Sequence, residues 1–218
     1  MKLLYAPTSP FVRKVMTCAH LTGQAGRIEW LPSAAHPVNR DARIAAHNPL
    51  AKVPTLILPD GRALYDSRVI CEYLADVAGD TQLFPAGAAR WLALTRQALG
   101  DGLLDAALLA RYEHTARPAE IQWPQWREAQ LVKVRACLGE IEAQADELPQ
   151  ADPDIGSLTI GCALGYLDFR FPELDWRAAH PRPPPPPPPP PPRGLVRRIQ
   201  PNACHAGHPS PRSLRPPP

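Results

Sequence analysis

The chain has 218 residues, 44% hydrophobic and 21% charged, enough apolar side chain for one large core or two small ones. Its net charge of +3 is uneven: residues 181–218 hold six arginines and no acid, so the body is net acidic. With no basic face interleaved with aromatics, the body gives no support to nucleic-acid binding. Five scattered cysteines make no disulfide framework, and neither a signal peptide nor an apolar run of membrane-spanning length is apparent, which fits a reducing cytoplasm.

Lys2-Leu3-Leu4-Tyr5 reads as a short strand and Ala6-Pro7-Thr8 as a turn. A helix then opens at Ser9-Pro10, because proline fits the first helical position and Phe11, Val12, Val15, Met16 and Ala19 recur at helical spacing until Gly23. The Ser9 hydroxyl has two readings. It can cap the helix by accepting from a free amide, or it can donate to a bound anion such as a thiolate, which the helix dipole also favours.

Arg27–Leu31 is a second possible strand, followed by a polar, loop-like stretch through Asn48. Thr55–Leu58 and Ala63–Tyr65, joined by Pro59-Asp60-Gly61-Arg62, form a predicted hairpin. Pro54 either starts the first of these strands or follows a cis bond that turns the Val53 backbone outward to pair with an extended peptide. Asp66-Ser67 opens another helix, with Val69, Ile70, Tyr73, Leu74 and Val77 as its apolar stripe before Gly79. Either residue can cap it. Its amides suit a carboxylate and Asp66 an ammonium group, so an amino-acid α-carbon would satisfy both.

Beyond Phe84-Pro85 the patterns are purely helical. One long helix or two short ones cover Ala88–His114, and Pro118 separates them from a stripe at Leu131, Val134, Leu138, Ile141, Ala145 and Leu148. Trp123 and Trp126 are expected to pack near its start. A last helix is expected over about 159–169, capped by Ser157 or Thr159. Ten consecutive prolines at 183–192 exclude α-helix there.

The segments Tyr5–Lys14, Asn48–Pro54 and Leu64–Leu74, followed by Ala98–Asp105 and Cys162–Arg170, resemble a bacterial glutathione S-transferase of the serine type over roughly residues 1–182. The resemblance implies an α/β thioredoxin-like glutathione-binding domain (1–80) and an all-α helical-bundle C-terminal domain (86–180). The tail, 181–218, reads as disordered or frame-shifted, standing where family members carry another apolar helix. By the same resemblance Ser9 donates to the glutathione sulfur, Val53 pairs with the cysteinyl part, Asp66 and Ser67 hold the γ-glutamyl end, and Lys52 lies near the glycyl end. The resemblance also puts Arg111 and Tyr112 on the helix that commonly borders the second-substrate pocket in this family; the alternative reading of the two is a solvated arginine and a packed tyrosine.

The expected activity is attack of the glutathione thiolate on a small electrophile, with glutathione as co-substrate, no metal, no nucleic acid or membrane partner, and a homodimer as the assembly. Tyr5 is a rival thiol-activating donor, but its place within a strand suits packing. Cys18 is a rival redox thiol, but it lies inside its helix, away from the N-terminus that activates thiols. The alternatives are a glutathione-dependent thiol reductase or peroxidase and a non-catalytic glutathione-binding or interaction protein of the same fold. Cys204-His205 with His208 resembles a metal-ligand cluster only superficially, lacking a fixed fourth ligand.

Overall fold

A computed structural model describes residues 1–149 and 151–180; the proline run and the Cys204, His205, His208 group lie outside the described residues. Four strands, β1 (Lys2–Tyr5), β2 (Glu29–Pro32), β3 (Thr55–Ile57) and β4 (Ala63–Leu64), form one sheet in the order β2-β1-β3-β4. β1 runs parallel to β2 with Leu3 opposite Trp30, and antiparallel to β3 with Leu4 opposite Thr55. The second strand begins later than its pattern suggested because Ala25–Arg27 closes into a 3-10 turn.

Helices α1 (Pro10–Leu21) and α3 (Ser67–Ala78) pack together against the sheet, burying Val12, Val15, Met16, Ile70 and Leu74 on Leu3 and Leu56. The buried face of α3 differs from the expected stripe. Ile70, Cys71, Leu74 and Ala75 lie inside, whereas Val69 and Val77 are each 47% exposed, because adjacent pairs one turn apart set the inward direction. A four-residue helix, α2 (Ala42–Ala45), interrupts the stretch expected to be loop; the Asp41 carboxylate caps it, accepting from Arg43 N–H at 2.8 Å.

The remaining described residues are helical: α4 (Gly87–Thr115), α5 (Pro124–Ala143), α6 (Ile155–Arg170) and the short α7 (Trp176–Ala179). The alternative of two short helices is removed, since α4 runs unbroken through Gly100 and Gly102. Close approach of α4 and α6 explains two glycines. A methyl group at Gly100 would stand 2.9 Å from Thr159 Cγ2, and one at Gly156 would stand 2.6 Å from the Ala93 carbonyl oxygen.

Asp154, rather than Ser157 or Thr159, caps α6. Its carboxylate accepts from Ser157 N–H at 2.7 Å, while the two hydroxyls donate back to the Asp154 and Ile155 carbonyls. Trp123 also departs from expectation: it is 60% exposed, and its backbone N–H donates to the buried Glu113 carboxylate at 2.7 Å. Ala93, Ile155, Leu158 and Cys162 reach into the core under the sheet, so α4 and α6 share it with α1.

Candidate active site

The pairing of Leu4 with Thr55 puts the turn after β1 and the Val53–Pro54 segment before β3 at the same end of the sheet. At that end α1 begins, and the first turn of α3 follows β4 nearby. A cleft of about 160 Å³ opens here, lined by Lys52, Val53, Asp66, Ser67, Arg68 and Asp105 among others. Four of the five expected site residues therefore share one cavity. Ser9 does not line it, but Phe11, in the first turn of the helix that Ser9 caps, does.

Each wall has a local cause. Asn48 is buried and holds the loop around Val53: its Nδ2 donates to the Lys52 carbonyl at 3.2 Å and to Thr55 Oγ1 at 3.0 Å, and its Oδ1 accepts from Leu50 N–H. The Val53–Pro54 peptide is cis, and the Val53 N–H and C=O have no hydrogen-bond partner among the described residues. They can therefore pair with an extended ligand backbone as an added strand would. The Tyr65–Asp66 peptide is also cis.

Asp66 rather than Ser67 is the cap of α3, accepting from Arg68 N–H at 2.9 Å, and Ser67 is buried behind it at the first helical position. The Ser67 hydroxyl has no partner among the described residues, and Ser67 stands in the first turn of a helix whose free amides favour a carboxylate. Asp66 adds a negative charge for an ammonium group. Lys52 is exposed and forms no ion pair among the described residues.

Ser9 accepts from Val12 N–H at 3.3 Å and caps α1. Accepting that bond leaves its own proton available, so capping and donation to an anion at this helix N-terminus are compatible. Tyr5 packs edge-to-face on Trp30 with ring centroids 4.7 Å apart. Cys18 is fully buried, its thiol 3.5 Å from the Cys71 carbonyl.

The pattern of the sequence did not single out the charged floor of the cleft. Lys14 on α1 and Asp101 on α4 form a buried ion pair at 2.6 Å, and Asp101 also accepts from Arg68 Nε at 2.9 Å. This fixes Arg68 beside the cleft and ties α1, α3 and α4 together. Burial, followed by the Asp101 charge, raises the pKa of Asp105, while Lys52 and Arg68 oppose that shift. The only signal in the sequence was a lysine breaking an apolar stripe, with an acid far away in the chain.

Models of the glutathione S-transferase N-terminal domain and C-terminal domain match residues 8–77 and 124–182. The "Uncharacterized GST-like protein YibF" of Escherichia coli (strain K12) is 33% identical over 184 residues, spanning 83% of this chain and 89% of that protein. The chain belongs to the glutathione S-transferase family.

Two structures of a glutathione transferase family member from Pseudomonas fluorescens Pf-5 extend the likeness. One, with bound glutathione, is 46% identical with a TM-score of 0.79, covering 83% of this chain and 88% of that one. The other, with bound S-(propanoic acid)-glutathione, is 45% identical with a TM-score of 0.75, covering 83% and 89%. The sheet order, its packing on α1 and α3, and the helical second half are those of a thioredoxin-like domain followed by a helical bundle, the glutathione transferase fold.

Proposed function

We propose that the chain is a glutathione transferase that activates the glutathione thiol for attack on a small electrophile. The observation that carries this reading is the cleft itself, with an unpaired Val53 backbone, a free Ser67 hydroxyl at a helix N-terminus, and Lys52 and Asp66 as charges of opposite sign. These match a peptide that is zwitterionic at its γ-glutamyl end and anionic at its glycyl end. The Val53 N–H and C=O pair with the cysteinyl unit, Ser67 and Asp66 hold the α-carboxylate and α-ammonium of the γ-glutamyl end, and Lys52 meets the glycyl carboxylate. The ligands of the Pseudomonas fluorescens structures, glutathione and a thioether of it, support the same site.

Ser9 donates to the sulfur. A free thiol has a pKa of about 8.5, and a hydroxyl donor at the positive end of α1 lowers it, increasing the thiolate fraction near neutral pH. The thiolate forms a carbon–sulfur bond as the leaving group departs with its electron pair, and the fixed geometry supplies much of the advantage. No cysteine of the described residues lines the cleft, which favours conjugation over disulfide exchange through an enzyme thiol.

The chain acts in detoxification in a reducing cytoplasm as a homodimer. Val69 and Val77 on α3, with Trp91 and Leu92 on the adjoining end of α4, give an exposed apolar surface for a second copy. Retention on glutathione resin together with conjugation of a model aryl chloride tests the function. Retention without turnover, or loss of both, would reject it.

A further inference from the structure

The helical half carries an unused cluster of cations. Arg111 and Tyr112 on α4 lie beside Tyr166 and Arg170 on α6, and neither arginine forms an ion pair among the described residues. Arg170 Nε is buried without a hydrogen-bond partner, and its guanidinium stands 4.0 Å from the centroid of the Phe169 ring. No acid in residues 181–218 could neutralise the pair, since that stretch contains neither Asp nor Glu. Two guanidiniums held together without a carboxylate repel each other, and a buried donor without an acceptor is costly. An anion bound by both arginines would offset the repulsion and supply the missing acceptor.

The packing register places this cluster beside the thiol-activating end of α1. The Cys162 thiol lies beside the Thr17 hydroxyl, and a methyl group at Gly165 would stand 3.2 Å from Arg13 Nη1. α6 therefore runs antiparallel to α1, and one further turn, about 6 Å at 1.5 Å per residue, brings Phe169 and Arg170 level with Ser9. The approach from α4 agrees. Gly100 lies against Thr159 and Ile160, so eleven residues further along both helices Arg111 meets Arg170.

We propose that Arg111 and Arg170 form the second-substrate subsite for an anionic electrophile, one bearing a carboxylate on the fragment that becomes bonded to sulfur. This rests on the glutathione site proposed above. Tyr112 and Tyr166 complete the subsite as hydroxyl donors. Burial raises both phenol pKa values, that of Tyr166 to about 12, so both keep their protons at neutral pH. The two guanidiniums select the substrate by charge, while Phe169 and the tyrosine rings supply an apolar wall.

Calorimetric titration of the full chain with three probes tests this: glutathione, S-benzylglutathione and S-(para-carboxybenzyl)glutathione. The carboxylated conjugate is expected to bind about tenfold or more tightly than the benzyl conjugate, the worth of one charge-assisted hydrogen bond. Arg111→Gln and Arg170→Gln should each erase most of that preference while glutathione affinity stays within a few-fold, which also reports that the variants fold. Equal affinities of the two conjugates for the unaltered chain, or a preference surviving both substitutions, would overturn the subsite and leave the glutathione site standing. Failure of the unaltered chain to bind glutathione itself would overturn the underlying site and this inference with it.

Discussion

Removing the Asp101 carboxylate should be among the most damaging single changes to this fold. Lys14 is fully buried and Asp101 is 1% exposed, so Asp101→Ala leaves an ammonium ion in the interior with no carboxylate 2.6 Å away. Breaking a buried pair by removing one partner costs about 3–5 kcal/mol. Arg68 adds little to that loss, because its side chain is 52% exposed and can return to water. For a chain of this length about 1 kcal/mol corresponds to roughly 2–4 °C, so the midpoint should fall by about 6–20 °C.

Lys14→Met should cost less, since Asp101 keeps Arg68. The double variant Lys14→Met with Asp101→Ala removes both charges and should recover part of the loss, with a coupling of about 1 kcal/mol or more. Urea denaturation followed by circular dichroism measures all four states of the cycle. A loss under about 1 kcal/mol in Asp101→Ala, or strictly additive effects, would refute the argument.

Three further outcomes follow from particular residues. Burial lowers the His20 pKa below 6.5, so the unfolded chain binds more protons and stability should fall as pH drops below that value; His20→Gln should flatten this slope in urea melts from pH 5 to 8. Asp105 has a raised pKa, so its contribution falls as pH rises through the carboxylate range, and Asp105→Asn should raise the midpoint at neutral pH. Gly156→Ala would press a methyl group to 2.5 Å from Arg96 Cβ and 2.6 Å from the Ala93 carbonyl, costing about 1–3 kcal/mol or more by urea denaturation.

Local signals carried much of this molecule. Proline at the first position of α1 and the hairpin turn at Asp60-Gly61 are short-range chemistry, and the structure has the helix and antiparallel strands there. The segments carrying Lys52, Val53, Asp66 and Ser67 were visible as two separated motifs; only the sheet pairing joins them in one cleft. The Lys14–Asp101–Arg68 network was not legible, because 87 residues separate its two buried members and charge alone carries no address. The cap of α6 was misplaced for a simpler reason: Ser157 and Thr159 are good caps by composition, yet Asp154 stands nearer the start and takes the free amide. Val69 and Val77 fell outside because a wide apolar pattern does not determine which part of it meets the core.

The central claim is that glutathione is held with its sulfur at Ser9, and the thiol's own titration tests it most directly. The ultraviolet thiolate band of bound glutathione, followed against pH in the unaltered chain and in Ser9→Ala, gives the thiol pKa in each complex. The account predicts a value below about 8.5 in the unaltered chain and a return towards it in Ser9→Ala, with conjugation falling about a hundredfold. A thiol pKa that is unshifted, or equally lowered in both proteins, would contradict it.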